Sequence, residues 1–253
     1  MTLLAVERIK LFTTRSPLWC TIAALFVTVG FAALIAGVDS DNLPDIGSTQ
    51  FGYSFGLVVV MVMATLAVTT EYRFGTIRAT FQAIPNRTAA LLAKTTVVAL
   101  FAGLIGLAAS FASVGIAKLI RPSADLAINT AFEWRAVAGV GLVYAAAAVM
   151  AVSVGTLVRH SAGAVSLILV WSQLVESLIT LIPKVGHNIQ QWMPFYVANK
   201  FLTGDPDLSN RPVGAGPPVS DAVLTPWASG AYFVGVALVL LVIATVAVNK
   251  RDA

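Results

Sequence analysis

One ionisable side chain stands inside an otherwise apolar run. Glu176 lies in LILVWSQLVESLITLI, residues 167–182, with Gln173 three positions before it. On a helix that spacing sets both polar groups on one face. A charge at bilayer depth costs roughly 2.5–3.5 kcal/mol on insertion scales, so such a residue is a functional candidate by default. Two readings stay open for Glu176. Together with Gln173 it lines a path for a translocated molecule. Alternatively, being close to Pro183, it reaches the interface or a hydrogen-bond donor on a neighbouring helix.

Other chemistry is scarce. The sequence has no GxxxxGK[ST] phosphate loop, no HExxH helix and no GxSxG elbow. His160 and His187 are single and fall on opposite sides of the expected topology, so they share no metal. Cys20 is the one cysteine, which excludes an internal disulfide. It reads as a small buried hydrophobe.

The other concentration of polar groups is TTEYRFGTIRATFQAIPNRTAALLAK, residues 69–94. Its periodicity predicts a helix over about 70–85. Thr70 serves as N-cap and Glu71 sits at the positive end of the dipole. Phe74, Ile77, Phe81 and Ile84 form one apolar stripe. Arg73, Arg78 and Gln82 lie off it. Pro85 ends the helix, Asn86-Arg87 turns the chain, and Lys94 stands where the next apolar run begins. Gly75 costs about 1 kcal/mol inside a helix, and close approach of another backbone is one reason to keep it. Such a helix either lies on a lipid surface or inserts its stripe and charges into a partner's groove.

The elements that hold these residues are membrane spans. Of 253 residues, 58% are apolar and 11% charged. Mean hydropathy is +0.85. A soluble domain carries about a quarter charged residues. An all-α polytopic membrane protein is the class that fits, as a single domain over 1–253. A helix needs about 20 apolar residues to cross the hydrocarbon core. Six candidates run at about 18–37, 52–70, 95–117, 136–158, 162–182 and 228–248. The first is too long for a signal-peptide core and is expected to be retained.

With the N-terminus inside, ten of the sixteen Lys and Arg are cytoplasmic, and six spread over longer outer loops. Both termini are therefore expected in the cytoplasm. Small residues recur at four-residue spacing in the third span (Ala102, Gly106, Ser110) and the fourth (Ala147, Ala151, Gly155), a pattern that allows close helix contact in lipid. Leu4, Ile9 and Phe12 with Glu7, Arg8 and Lys10 suggest an amphipathic helix on the inner surface; a frayed, positively charged tail is the alternative. The outer loop 183–226 holds seven of the eleven prolines. Short helices are expected there, with Trp192, Phe195 and Tyr196 at the outer interface and GDPDLSNRPVGAGPP as an exposed loop.

The pattern E…GTIR…P.R……K between the second and third of six spans resembles the membrane subunit of type-2 ABC transporters, the ABC-2 permease family. Glu71, Gly75, Thr76, Pro85, Arg87 and Lys94 carry the likeness. The motif covers about a tenth of the chain, and the topology nearly all of it. The resemblance implies that the segment is a coupling helix. Glu71, Tyr72, Arg73, Phe74, Gly75, Thr76, Ile77, Arg78, Phe81, Pro85 and Arg87 would then seat in a cleft of a separate ATPase subunit dimer. ATP and Mg would belong to that partner, and this chain would bind no cofactor and catalyse nothing itself. Six spans are half a transporter, so a second permease, identical or related, is implied. The second and fifth spans would face the pathway. Membrane lipids, and no nucleic acid, complete the expected partners. The implied activity is export of a hydrophobic or amphipathic substrate, such as a drug, an antibiotic or a lipid-like molecule, across the bacterial plasma membrane. A non-transporting anchor or regulatory subunit, and an ATP-independent carrier, are the alternatives.

Overall fold

The computed structural model describes residues 3–38, 44–84, 86–204 and 220–250. Asp39, Asp41, Pro85, Arg251 and the loop residues 205–219, with Arg211 and four of the outer loop's seven prolines, lie outside the described residues.

Among the described residues every regular element is helical. Helix α1 (Leu3–Thr13) leads into the first span, α2 (Ser16–Val38). A single turn, α3 (Ile46–Thr49), and α4 (Tyr53–Arg73) make the second. A short α5 (Thr76–Ala83) precedes the third, α6 (Arg87–Ile120). The fourth is α7 (Ala131–Val158). The fifth is composite: α8 (Ser161–Val170), a π-helical turn at Trp171–Val175, α9 (Glu176–Leu178) and a 3₁₀ turn. Then come α10 (Gly186–Gln190), α11 (Pro194–Thr203) and the sixth span, α12 (Pro226–Lys250). Six segments are long and apolar enough to cross a membrane. In hydrocarbon a helix satisfies its own backbone, which is why apolar runs of this length take that form.

The six spans fall where the apolar runs predict them, but the third begins eight residues before the predicted 95. The Asn86 side chain accepts from the Ala89 amide at 3.0 Å and nucleates α6 directly after the turn. Lys94 is therefore well inside a helix rather than at its mouth.

Helix α7 is the pillar, with 72% of its apolar window buried against 17% for the fifth span. The small residues are where the helices meet. A Cβ on Gly106 would come within 2.9 Å of Tyr144 and 3.1 Å of Gly141, and one on Gly155 within 2.6 Å of Val68. Backbones thus approach directly, α6 on α7 and α7 on α4. The Tyr144 hydroxyl donates to the Tyr53 carbonyl at 2.7 Å and pins the pillar to the head of α4.

An even number of spans brings both chain ends to one face, here called the terminal face. There Asn249 on α12 donates to Thr88 on α6 at 2.9 Å. Helix α11 packs at the opposite face against α7 and α12, with Phe201 filling the space beside Gly139 and Gly230.

Candidate functional site

The predicted 70–85 helix is two elements. The second span continues through Arg73, so Thr70 is no N-cap; its hydroxyl donates within the span to the Leu66 carbonyl at 2.6 Å. The chain breaks at Phe74 and Gly75, and α5 starts at Thr76. Gly75 has φ +70°, and a Cβ there would meet nothing within 4 Å. The glycine serves a left-handed corner, and no other backbone among the described residues approaches it. An L side chain in that region costs about 1–2 kcal/mol. Gly75→Ala is therefore expected to loosen α5 by that amount, seen as faster amide exchange over 76–83 with the spans unchanged.

The apolar stripe is corrected as well. Ile77 is buried, and Phe81 packs inward on the core with the Arg87 guanidinium 5.3 Å from its ring centre. Arg87 also donates to the Val248 carbonyl at 3.3 Å. Tyr72 lies half-buried under Arg159, 5.3 Å from ring centre to guanidinium carbon. What the corner presents outward is Arg73, Phe74, Gly75, Thr76 and Arg78, a largely polar knob with one exposed aromatic. Pro85 lies outside the described residues. Ile77 and Phe81 thus mount α5 on its own protein, while Phe74, at the head of the stripe, stays outward.

Glu71 departs furthest from expectation. Its carboxylate faces inward and joins a closed ring of four charges. Lys94 Nζ donates to Glu7 at 2.5 Å and to Glu71 at 2.9 Å. Lys10 Nζ donates to Glu7 at 3.0 Å, to Glu71 at 3.3 Å and to the Thr80 hydroxyl at 3.1 Å. Signs alternate around the ring, so each buried charge has two opposite neighbours. Glu7, Glu71 and Lys94 are largely buried, and Lys10 is the most exposed member. Burial works against the Lys10 ammonium, but the Glu7 and Glu71 carboxylates outweigh it and raise its pKa above the usual lysine value. The ring fastens α1, α4, α5 and α6 into one body, and α1 is an ordered helix rather than a frayed tail. Glu7 and Lys10, a signed pair at i and i+3, were the one sequence signal for it.

Gln173 and Glu176 are separated. The π turn inserts extra arc between them, so Gln173 faces outward while Glu176 is buried. The carboxylate of Glu176 accepts from the Phe195 amide at 3.2 Å and the Tyr196 amide at 2.8 Å. These are the second and third residues of α11, so Glu176 caps that helix across space and answers its dipole. The hydrogen-bond reading is the one this geometry favours. Of the aromatics expected at the interface, Trp192 is exposed and meets Tyr232 edge-on at 6.2 Å. Phe195 packs edge-on to Phe233 at 5.5 Å. The Tyr196 hydroxyl donates to Asp221.

His160 caps α8 on the terminal face, whereas His187 lies 3.3 Å from Asp221 on the other. No group of three metal-ligating side chains occurs among the described residues.

These features define a multi-pass helical membrane protein with a rigid polar corner on its terminal face. No protein-family model matches the chain, and no match exists among the curated proteins.

Proposed function

We propose that the chain is the permease subunit of an ATP-driven transporter of the ABC-2 type, moving a hydrophobic or amphipathic molecule across the bacterial plasma membrane. The terminal face is then cytoplasmic, and the α4–α5 corner is the seat of a separate ATPase subunit that holds the ATP and Mg. One observation carries this reading. The exposed corner is joined to α1, α4 and α6 by the charge ring and by inward Ile77 and Phe81, so a push on it is delivered to two spans and the interfacial helix rather than absorbed by a loose loop. A lipid-surface helix would turn Ile77 and Phe81 toward lipid, whereas here they are turned inward.

A second permease, identical or related, fits the fifth span. It is the least buried of the six, and Gln173, Ser177 and Thr180 are exposed along it. Polar groups facing lipid are unfavourable, so a second subunit or an aqueous path between two copies would cover them. Exchange between inward- and outward-open packings of that pair would be the transport step.

The test is capture from native membranes. The tagged chain is expected to bring down an ABC-type ATPase. Phe74→Glu and Arg78→Glu are expected to lose it, each more than tenfold, while remaining inserted. Absence of an ATPase from the wild-type sample, or its retention by both variants, overturns the reading. Efflux from vesicles holding both subunits then separates a permease from a non-transporting anchor, and transport by this chain alone would indicate an ATP-independent carrier.

A further inference from the structure

Between α7, the fifth span and α12 lies a pocket of about 710 Å³ whose wall carries no polar surface. It runs along α12 from Tyr232 to Leu240, eight helical steps, or about 12 Å at the helical rise. Pro194, the first residue of α11, lines it at the Tyr232 end.

Three features set it apart from the ordinary lipid-facing surface. Its wall on the fifth span includes Trp171, the first residue of the π turn, a distortion found mostly at functional sites. Its floor includes Gly235, where a Cβ would meet nothing within 4 Å, so the sequence leaves space where neighbouring positions carry Val and Leu. Its Tyr232 end is fixed, because the Tyr232 hydroxyl donates to the Trp192 carbonyl at 2.9 Å. Apart from Pro194 at one end, the pocket is walled by helices long and apolar enough to cross a membrane, so most of its length would face hydrocarbon.

From this we infer that the pocket is a binding site for one acyl chain of a bilayer lipid. Water finds no polar partner there, and an empty apolar void forfeits its dispersion contacts. The pocket's length suits a stretch of extended chain, and the surrounding bilayer supplies such chains at the highest local concentration of any apolar molecule. The lipid's polar end would emerge toward Trp192 and Tyr232, where an amphipathic aromatic pair suits the headgroup level. The inference does not rest on the transport reading.

Trp171 reports on the site directly. In a full-length variant keeping Trp171 as the one tryptophan (Trp192 changed to Tyr, which keeps an amphipathic ring there, and the other three to Phe), reconstitution into lipid brominated in mid-chain is expected to quench its emission roughly threefold, as a chain held in a fitted pocket would. Gly235→Phe fills the pocket and is expected to restore at least half of that emission. Leu238→Phe, on the exposed side of α12, is expected to leave it quenched. Equal quenching in the Gly235→Phe and unfilled proteins overturns the inference, as does equal recovery with Leu238→Phe. A separate arm uses unbrominated lipid with bromododecane added at one molecule per protein. Quenching there that excess lipid does not relieve assigns the site to a free apolar molecule and overturns the lipid assignment. If Gly235→Phe does not fold, Gly235→Leu replaces it under the same criteria, with helical content and monodispersity checked first.

Discussion

Lys94→Met is expected to destabilise the protein by roughly 3–5 kcal/mol, the cost of removing one partner from a buried ion pair. At this chain length that corresponds to a fall in Tm of roughly 6–20 °C. Lys94 stands 2.5 Å from Glu7 and 2.9 Å from Glu71, and its removal leaves two buried carboxylates sharing Lys10 alone. Glu7→Gln should be milder, because Glu71 still pairs with both lysines. Combining Lys94→Met with Glu7→Gln removes one charge of each sign and restores the balance. The double variant is therefore expected to be more stable than the sum of the single changes predicts, by about 1–3 kcal/mol of coupling. Thermal unfolding in detergent measures all three. A Lys94→Met protein melting within about 2 °C of the parent, or strict additivity, would show that the ring does not hold α1 to the spans. The same variant is expected to free α1, since Glu7 and Lys10 are its charged ties to α4 and α6. Protease cleavage between residues 13 and 16 should accelerate accordingly.

Glu176→Ala is expected to release α11. The carboxylate satisfies two amides at the start of that helix, and hydrogen bonds to a charged group contribute about 1.5–3 kcal/mol each. Losing both leaves unpaired donors in a site where Glu176 is 4% exposed. A net local loss near 3 kcal/mol corresponds to exchange of the α11 amides faster by about two orders of magnitude. Hydrogen exchange over 194–203 reads this directly. Glu176→Gln should fall between the two, because its carbonyl accepts one amide while its NH₂ opposes the other. Unchanged exchange in Glu176→Ala would refute the capping role. Under the proposed transport function, Glu176→Gln also separates the two roles open to the residue. If the carboxylate serves only to seat α11, efflux by the assembled transporter should survive Glu176→Gln and fail with Glu176→Ala. Loss of efflux in Glu176→Gln with α11 still protected would return the residue to the translocation path.

For the proposed ATPase docking, the choice of probes follows from the same packing. Charge reversal at Glu71 strikes the ring and the stability of the whole terminal face, so it cannot report on a partner. Phe74 and Arg78 are exposed, and Ile77, between them, is buried. They are the positions where a change reaches a neighbour without reaching the core.

The sequence alone determined the class of protein and the number and placement of its spans, because twenty consecutive apolar residues have one stable use and no other residue need be consulted. It also marked the small-residue stripes, which are a property of a few neighbouring positions, but it ran one helix through Gly75, where the structure turns a corner. Tertiary structure decided which polar groups meet. Glu7, Lys10, Glu71 and Lys94 span 88 positions and belong to three helices, and a lysine carries no mark of which carboxylate it will find. The Phe74–Ile84 periodicity was legible, but which way its stripe would turn depended on α6 and the core offering apolar surface behind it. Gln173 and Glu176 share a face only at 3.6 residues per turn, and the π turn between them breaks that premise. Glu176 finds its partners nineteen and twenty residues on, at the tip of a helix that the chain must first fold back to deliver. Apolarity is a local property and can be read one residue at a time; which groups are buried together, and which buried charges pair, is fixed only when the helices have packed.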